Sequence, residues 1–270
     1  MDGTDQSHLY SDPVVYDILH APGTADEARV VQTIARGYAG HNRILTLMEP
    51  ACGTARHLRA LAKNGHRGIG FDLSDAMIDD ARERAERAGL ARRLTLFTAD
   101  MTDFADALPH GAGPADAAFN LINTIRHLHT DDAVLAHLGH IARCLTPRGV
   151  YLVGLSVTDY DLEQASEDVW VGARGACRVT QTVNYIPPER TPGVGGPGDR
   201  TETVISHLAI AKPGGCEHRD SRYTLRTYTL GEWTALIDRS AMEICAVTDD
   251  TGGAMSPPTL GYALFHLRAR

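Results

Sequence analysis

Residues 44–72, ILTLMEPACGTARHLRALAKNGHRGIGFD, constrain the fold more than any other stretch of the chain. Ile44, Leu45, Leu47 and Met48 form an apolar run of the kind found in a strand buried on both faces. Glu49 ends the run, and Cys52-Gly53-Thr54 turns into a helix that carries Leu58, Leu61 and Ala62 inward. Asn64-Gly65 stops that helix. A second short strand, Gly68-Ile69-Gly70-Phe71, delivers Asp72. Strands joined through a helix lie parallel, and parallel sheets bind ligands outside the carboxyl ends of their strands. Glu49, Gly53 and Asp72 are therefore expected to face one ligand.

The rhythm continues along the chain. Ser74 is an N-cap for a helix over residues 75–88, with Met77, Ile78, Ala81 and Ala85 on one face. Residues 94–97 read as a third strand ending in Thr98-Ala99-Asp100-Met101, and residues 117–122 as a fourth running into Asn123-Thr124. Thr130 caps a helix with Val134, Leu138, Ile141 and Leu145 in one stripe. Pro147-Arg148-Gly149 ends it before a fifth strand at 150–155. Strands and helices alternating at this spacing specify a doubly wound α/β sheet.

Beyond residue 155 the pattern changes. Val179, Thr180, Thr182, Val183 and Tyr185 alternate as a strand, as do Thr201, Thr203, Val204, Ile205 and Leu208, with a Pro/Gly-rich loop at 187–198 between them. Residues 156–228 are expected to form an inserted antiparallel β lid. Thr229-Leu230-Gly231-Glu232 is a capping box that restarts the helical pattern. Residues 242–247 and 262–267 follow as two strands with no helix between, an antiparallel hairpin closing one edge. The expected division is a core of residues 1–155 and 229–270, with residues 1–40 as a helical cap, and a lid of residues 156–228.

Seven strands, a glycine turn after the first, acids after the second and third, and the closing hairpin resemble class I S-adenosylmethionine-dependent methyltransferases, with their Rossmann-like fold. Glu49-Pro50-Ala51-Cys52-Gly53-Thr54-Ala55 is similar to the family's glycine motif but keeps only the middle glycine. Alanine at positions 51 and 55 admits close ligand approach where the backbone needs no positive φ. The resemblance implies a cofactor site of Tyr16, Glu49, Ala51, Cys52, Gly53, Asp72, Leu73, Met77, Asp100, Met101, Asn120 and Leu121. Glu49 would balance the ammonium of S-adenosylmethionine, and Asp72 would accept from both ribose hydroxyls. Asp100 and the Met101 N–H would read the adenine between the apolar faces of Leu73 and Met77. Asn120 and Leu121 would run beneath the methionyl arm.

Three local segments resemble small-molecule members of the family: Val15-Tyr16-Asp17-Ile18, residues 120–128 (NLINTIRHL) and residues 223–233 (YTLRTYTLGEW). The implied reaction is in-line transfer of a methyl group to nitrogen or oxygen of a small acceptor. His127, just past the fourth strand, is the candidate base, and Tyr16 the second, through its hydroxyl or as a cap. Asn123, His127, Trp170, Tyr185 and Arg226 are the candidate acceptor-binding residues. A nicotinamide-dependent oxidoreductase would share the glycine turn and Asp72, but it wants a fuller glycine fingerprint for its pyrophosphate. A non-catalytic cofactor-binding scaffold is the remaining alternative.

Charge and composition restrict the partners. The formal charge of −8 argues against a broad nucleic-acid footprint, and no apolar run approaches the roughly 20 residues of a membrane helix. The start of the chain lacks the basic flank and apolar core of a signal peptide. Five scattered cysteines, with no C-x-x-C pair, fit a reducing cytoplasm. The expected partner is a small methyl acceptor, with a homodimer compatible and with neither nucleic acid nor membrane. His127 and His129 form an H-x-H, with His137 and His140 on the next helix, but no acid joins them at ligand spacing, so no metal is expected. Gly193-Val194-Gly195-Gly196-Pro197-Gly198 matches G-x-G-x-x-G literally, yet it follows no strand and opens no helix, and reads as a loop.

Overall fold

A computed structural model describes residues 10–40, 43–188 and 200–270. The glycine-rich match at 193–198 lies outside them. The described chain forms a seven-stranded mixed sheet, helices on both of its faces, and a separate four-stranded antiparallel sheet. This is the α/β Rossmann-like architecture expected from the sequence, with its inserted β sheet.

In chain order, α1 (Pro13–His20) and α2 (Thr24–Ala39) precede the core unit. That unit is β1 (Thr46–Pro50), α3 (Arg56–Lys63), β2 (Arg67–Asp72), α4 (Asp75–Arg87) and β3 (Leu94–Thr98). Then come β4 (Ala115–Asn120), α5 (Asp131–Cys144) and β5 (Leu145–Val157). The second sheet holds β6 (Ser166–Arg174), β7 (Cys177–Ile186), β8 (Thr201–Lys212) and β9 (Gly215–Arg226). The chain closes with α6 (Leu230–Asp238), β10 (Met242–Thr248) and β11 (Gly261–Ala269). The large sheet runs β10-β11-β5-β4-β1-β2-β3. Strand β11 is antiparallel to both neighbours, so the terminal pair is antiparallel as expected, with β10 at the edge.

The central strands are buried on both faces. Leu47, Ala117, Phe119, Val150 and Leu152 pack with Val31, Leu58 and Ile78 on one side. Met48, Ala118, Tyr151 and Val153 pack with Leu138, Ile141, Trp233 and Leu236 on the other. Neighbouring residues thus alternate between the layers, as the pleat requires. The caps fall where the sequence puts them. Ser74 accepts from Met77 N, Thr130 from Ala133 N, and Thr229 and Glu232 form a reciprocal box.

Among the boundaries that differ from the sequence reading, three have a local reason. β1 starts at Thr46 and leaves Ile44 61% exposed. Thr46 N donates to Asp116 Oδ2 and Leu45 N to His66 Nδ1, side-chain bonds that hold the approach to the strand. β4 ends at Asn120 rather than 122, because Ile122 and Asn123 adopt left-handed φ values of 54° and 60°. β5 begins at once after α5, and its partner jumps from Leu145 to Val150 as β4 advances from Ala115 to Ala117. The bulge absorbs Pro147, which has no N–H for a ladder.

In the small sheet, β7 and β8 are the two alternating runs, whereas β6 and β9 carried no clear signal. In β6 the apolar Val169 and Val171 face outward, and in β9 the polar Glu217, Arg219 and Ser221 share the parity of Tyr223, so neither strand alternates cleanly. Helix α1 lies between this sheet and the core. Its Val15, Ile18 and Leu19 pack on Val179, Leu208 and Ile210. Asp17, 3% exposed, anchors it by accepting from Thr54 (2.7 Å), Arg59 (2.5 Å), Arg84 (3.0 Å) and Arg174 of β6.

Candidate active site

A cavity of about 850 Å³ runs along the carboxyl ends of β1, β2 and β4, beneath the small sheet and α1. That volume lies toward the upper end of the roughly 300–1,000 Å³ usual for small-molecule sites, enough for a cofactor and an acceptor together.

One end is built by the β1 turn. Glu49 Oε1 faces His57 Nδ1 at 2.6 Å, and His57 Nε2 faces Glu27 Oε2 at 2.7 Å. With a carboxylate at each nitrogen, the ring donates from both and is an imidazolium. Burial alone would depress the His57 pKa, but the Glu49 and Glu27 carboxylates outweigh it and hold the pKa above its ordinary value. Arg56 completes the chain, donating to Glu27 at 2.6 Å and Thr24 at 2.7 Å. Glu49 is thereby fixed, and its other oxygen, Oε2, is buried with no partner among the described residues. Asn120 presents a second such acceptor. Its Nδ2 donates to Pro50 O at 3.1 Å, which leaves Oδ1 buried and unpartnered. Buried acceptors are normally paired, so two orphans lining one cavity fit a ligand ammonium group.

The turn itself corrects an expectation. Ala51, Gly53 and Ala55 have φ values of 50°, 51° and 53°, so both alanines occupy the left-handed region that a glycine motif would fill without strain. Each alanine costs about 1–2 kcal/mol there. Backbone bonds offset this: Cys52 N to Phe71 O at 2.9 Å and Ala55 N to Cys52 O at 2.8 Å. Gly53 N donates to Asp72 Oδ2 at 2.8 Å, and Ser74 N to Asp72 Oδ1 at 2.9 Å. Asp72 is thus held at the rim with lone pairs to spare. Burial raises its pKa against those two N–H donors.

Tyr16 covers the turn. A Cβ at Gly53 would lie 2.9 Å from Tyr16 Cε1, and the other side of the Tyr16 ring stacks on His20 at 4.3 Å. Burial pushes the Tyr16 hydroxyl well above its ordinary pKa, so it stays protonated where the ring lies over the turn. Gly53→Ala is expected to lift the Tyr16 ring, strain the turn, and weaken cofactor binding by about ten-fold. Isothermal titration checks this, with Tyr16→Ala alone separating loss of the cap from strain in the turn.

Beyond Asp72, Met77 is buried and Leu73 exposed at the same cavity, with Asp100 and Met101 opposite. Asp100 Oδ1 accepts from Thr102 N and Oγ1, both at 2.7 Å. His137 braces Met101: Nδ1 donates to Met101 O at 3.0 Å and Nε2 accepts from the Tyr151 hydroxyl at 2.8 Å. Burial pushes its pKa down to about 4. Among the described residues, no three His, Cys, Asp or Glu side chains gather as metal ligands.

The other end of the cavity lies under the small sheet, where Leu121, Asn123, His127, Trp170 and Tyr185 all line it. His127 stacks on Tyr223 at 5.8 Å and meets the edge of Tyr10 at 5.9 Å. Burial, with His129 and Arg126 nearby, pushes its pKa down to about 4. Asn123 is committed to β5, accepting from Ser156 N at 2.6 Å and donating to Ser156 Oγ at 3.0 Å. Arg226 is the exception and does not line the cavity. It follows the inward-facing Tyr223 and Leu225 by odd register, and it points out to donate to Asp131 at 2.5 Å and to His129 O.

Sequence reasoning missed Tyr10, His20, Arg56, Arg126, Glu163, Asp168, Glu202 and Tyr223, which all line the cavity. Tyr223 and Trp170 share the inward parity of their strands, a usable signal once the sheet is known. Arg126 and Glu202 form a buried pair at 2.6 Å across 76 residues of sequence, which no local pattern reveals.

Comparison with known proteins agrees with this geometry. Residues 47–149 match a methyltransferase domain family. The dTDP-3-amino-3,4,6-trideoxy-alpha-D-glucopyranose N,N-dimethyltransferase of Streptomyces venezuelae is 25% identical over 232 residues, covering 85% of this chain and 89% of that protein. A dTDP-4-amino-2,3,4,6-tetradeoxy-D-glucose N,N-dimethyltransferase of Saccharopolyspora spinosa is 25% identical over 241 residues, covering 87% and 79%. The crystal structure of Streptomyces venezuelae DesVI superposes with a TM-score of 0.70 at 20% identity, covering 97% of this chain and 98% of that one. Fold and site together define an α/β methyltransferase. The domain match, the relatives and the fold together indicate a class I S-adenosylmethionine-dependent methyltransferase, with S-adenosylmethionine as methyl donor and a small molecule as acceptor. The oxidoreductase and scaffold alternatives give way to it.

Proposed function

We propose that this enzyme methylates the amine nitrogen of an amino sugar. The acceptor end of the cavity carries this reading: neither its histidine nor its phenols can take a hydroxyl's proton, and the carboxylates beside them, Glu163, Asp168 and Glu202, suit a basic acceptor. His127 has its pKa near 4, and burial holds the Tyr10, Tyr16 and Tyr223 hydroxyls protonated. An amine needs no such base once neutral, because its own lone pair attacks. The two relatives whose names specify amino-sugar N,N-dimethylation support the same choice.

In this reading Glu49 Oε2 and Asn120 Oδ1 take the cofactor's ammonium, and Asp72 takes its ribose hydroxyls. Asp100 and the Met101 N–H take the adenine between Leu73 and Met77. Ala51, Cys52 and Gly53 bring backbone close to the methionyl carboxylate, and Leu121 lies under its arm. Bound there, S-adenosylmethionine supplies an electrophilic methyl on a sulfonium. An acceptor amine would take that methyl on its lone pair, with the neutral thioether as leaving group, and the resulting ammonium would shed its proton to solvent. Tyr16 and the small sheet exclude water and align the partners. Residues 1–155 and 229–270 then act as the cofactor core, and 156–228 as the acceptor lid. His127 shapes the acceptor wall.

No helix among the described residues is long and apolar enough to cross a membrane. A cytoplasmic location is part of the proposal, as is a homodimer. Exposed Val169, Val171 and Ile205 on the outer face of the small sheet support pairing, which sedimentation would test.

The test is reaction with aminohexoses and mass-spectrometric location of the added methyl, which is expected on nitrogen. An O-methyl product overturns the reading. The pH profile of kcat/KM is expected to rise as the acceptor amine loses its proton. His127, with its pKa near 4, adds no inflection between pH 5 and 8. An inflection in that range that vanishes in His127→Gln would make His127 the base after all.

A further inference from the structure

We propose that the acceptor carries its amine on a scaffold free of phosphate, as a glycoside rather than a nucleotide-linked sugar. This rests on the amino-sugar reading above and goes beyond it. The relatives' names specify dTDP-linked acceptors, and a diphosphate needs cations or N–H donors to meet it. The acceptor end of this cavity offers the opposite charge.

Three carboxylates line that end, Glu163, Asp168 and Glu202, against one guanidinium among the described residues, Arg126. Arg126 is already engaged, by Glu202 Oε2 at 2.6 Å and by Arg226 O at 2.8 Å, and both members of the pair are buried. Drawing Arg126 to a phosphate would leave Glu202 buried and uncompensated. Arg56, at the cofactor end, is tied to Glu27 and Thr24. Arg226 points away and is tied to Asp131.

The carboxylates are differently placed. Glu163 accepts from the Thr158 hydroxyl. Asp168 stands on β6 opposite Val183, and its exposed carboxylate is paired with no other described side chain. Between them the wall is aromatic: Trp170 and Tyr185 from the sheet, and Tyr10 and Tyr223 around His127. Ring faces beside an excess of carboxylates over guanidinium attract an ammonium or a neutral sugar and repel a diphosphate. The inference therefore stands on the charge balance of the described cavity residues, the commitment of Arg126, and the aromatic wall.

The experiment compares each aminohexose in two forms, as its methyl glycoside and as its nucleoside-diphosphate conjugate. It uses the full chain, saturating S-adenosylmethionine, and a chelator to remove bridging divalent cations. The glycoside is expected to show kcat/KM at least about ten-fold higher. Salt narrows the gap by screening. Asp168→Asn is expected to narrow it several-fold at low salt, through a lower KM for the conjugate and a higher KM for the glycoside. Equal or better turnover of the conjugate, with methyl on nitrogen, overturns this inference and leaves the amino-sugar reading standing. If neither form is methylated while calorimetry shows the cofactor bound, the amino-sugar reading itself falls.

Discussion

Asp72→Ala is expected to weaken S-adenosylmethionine binding by about two orders of magnitude. Hydrogen bonds to an ionised group contribute about 1.5–3 kcal/mol each when desolvated, and two ribose hydroxyls are at stake. The carboxylate also holds the cavity wall, because it accepts from Gly53 N of the β1 turn and from Ser74 N of the β2 turn. Removing it orphans both N–H groups and frees a turn that already carries two alanines at positive φ. Stability without cofactor should therefore fall as well, by about 1–2 kcal/mol.

Asp72→Asn separates the two contributions. It keeps an acceptor for one of the two N–H groups but removes the charge, so the fold should survive with affinity reduced by about ten-fold. Burial raises the pKa of Asp72, so the wild-type carboxylate is protonated at a less acidic pH than an ordinary one. Cofactor affinity should accordingly decline as pH falls through that raised value and hold steady above it. Calorimetric titration of the three proteins across that range is the measurement. Unchanged affinity in Asp72→Ala would remove Asp72 from the ribose site.

The cofactor end was legible because it follows from chain order. A strand, a turn and a capped helix repeat, and the residues that end β1, β2 and β3 must come together at one edge of a parallel sheet. Glu49, Asp72 and Asp100 meet there for that reason. The acceptor end depends on contacts between distant segments. Glu202 reaches Arg126 from the second sheet, and Tyr223 reaches His127 from β9. Strand parity decides that Tyr223 points in and Arg226 points out, and β9 was not visible as a strand because the polar Glu217, Arg219 and Ser221 share the parity of Tyr223. The left-handed backbone at Ala51, Ala55 and Ile122 was equally hidden. Those residue types disfavour it, and only the surrounding hydrogen bonds impose it.

Gly154→Ala is the second substitution expected to have a large effect, and it tests that imposed strain. Ile122 and Asn123 turn left-handed in succession as the chain leaves β4. For a β-branched residue this conformation is a true outlier. Two bonds hold it: Ile122 N donates to the Tyr262 hydroxyl and Asn123 N to Gly154 O, both at 3.2 Å. The Tyr262 hydroxyl fits only because residue 154 has no side chain. A Cβ there would lie 2.0 Å from the oxygen and 3.2 Å from Ile122 N. The methyl of Gly154→Ala must expel the phenol from a packed interior, at a cost of about 2–3 kcal/mol. It also strips Ile122 of its acceptor, so the turn relaxes and the segment from Leu121 to His127 shifts within the cavity. A lower melting temperature should therefore come with a lower kcat. Adding Tyr262→Phe removes the colliding oxygen but does not restore the acceptor. The double variant should recover part of the lost stability and little of the lost kcat. Melting and turnover that both match wild type in Gly154→Ala would show that the Tyr262 hydroxyl does not hold this turn.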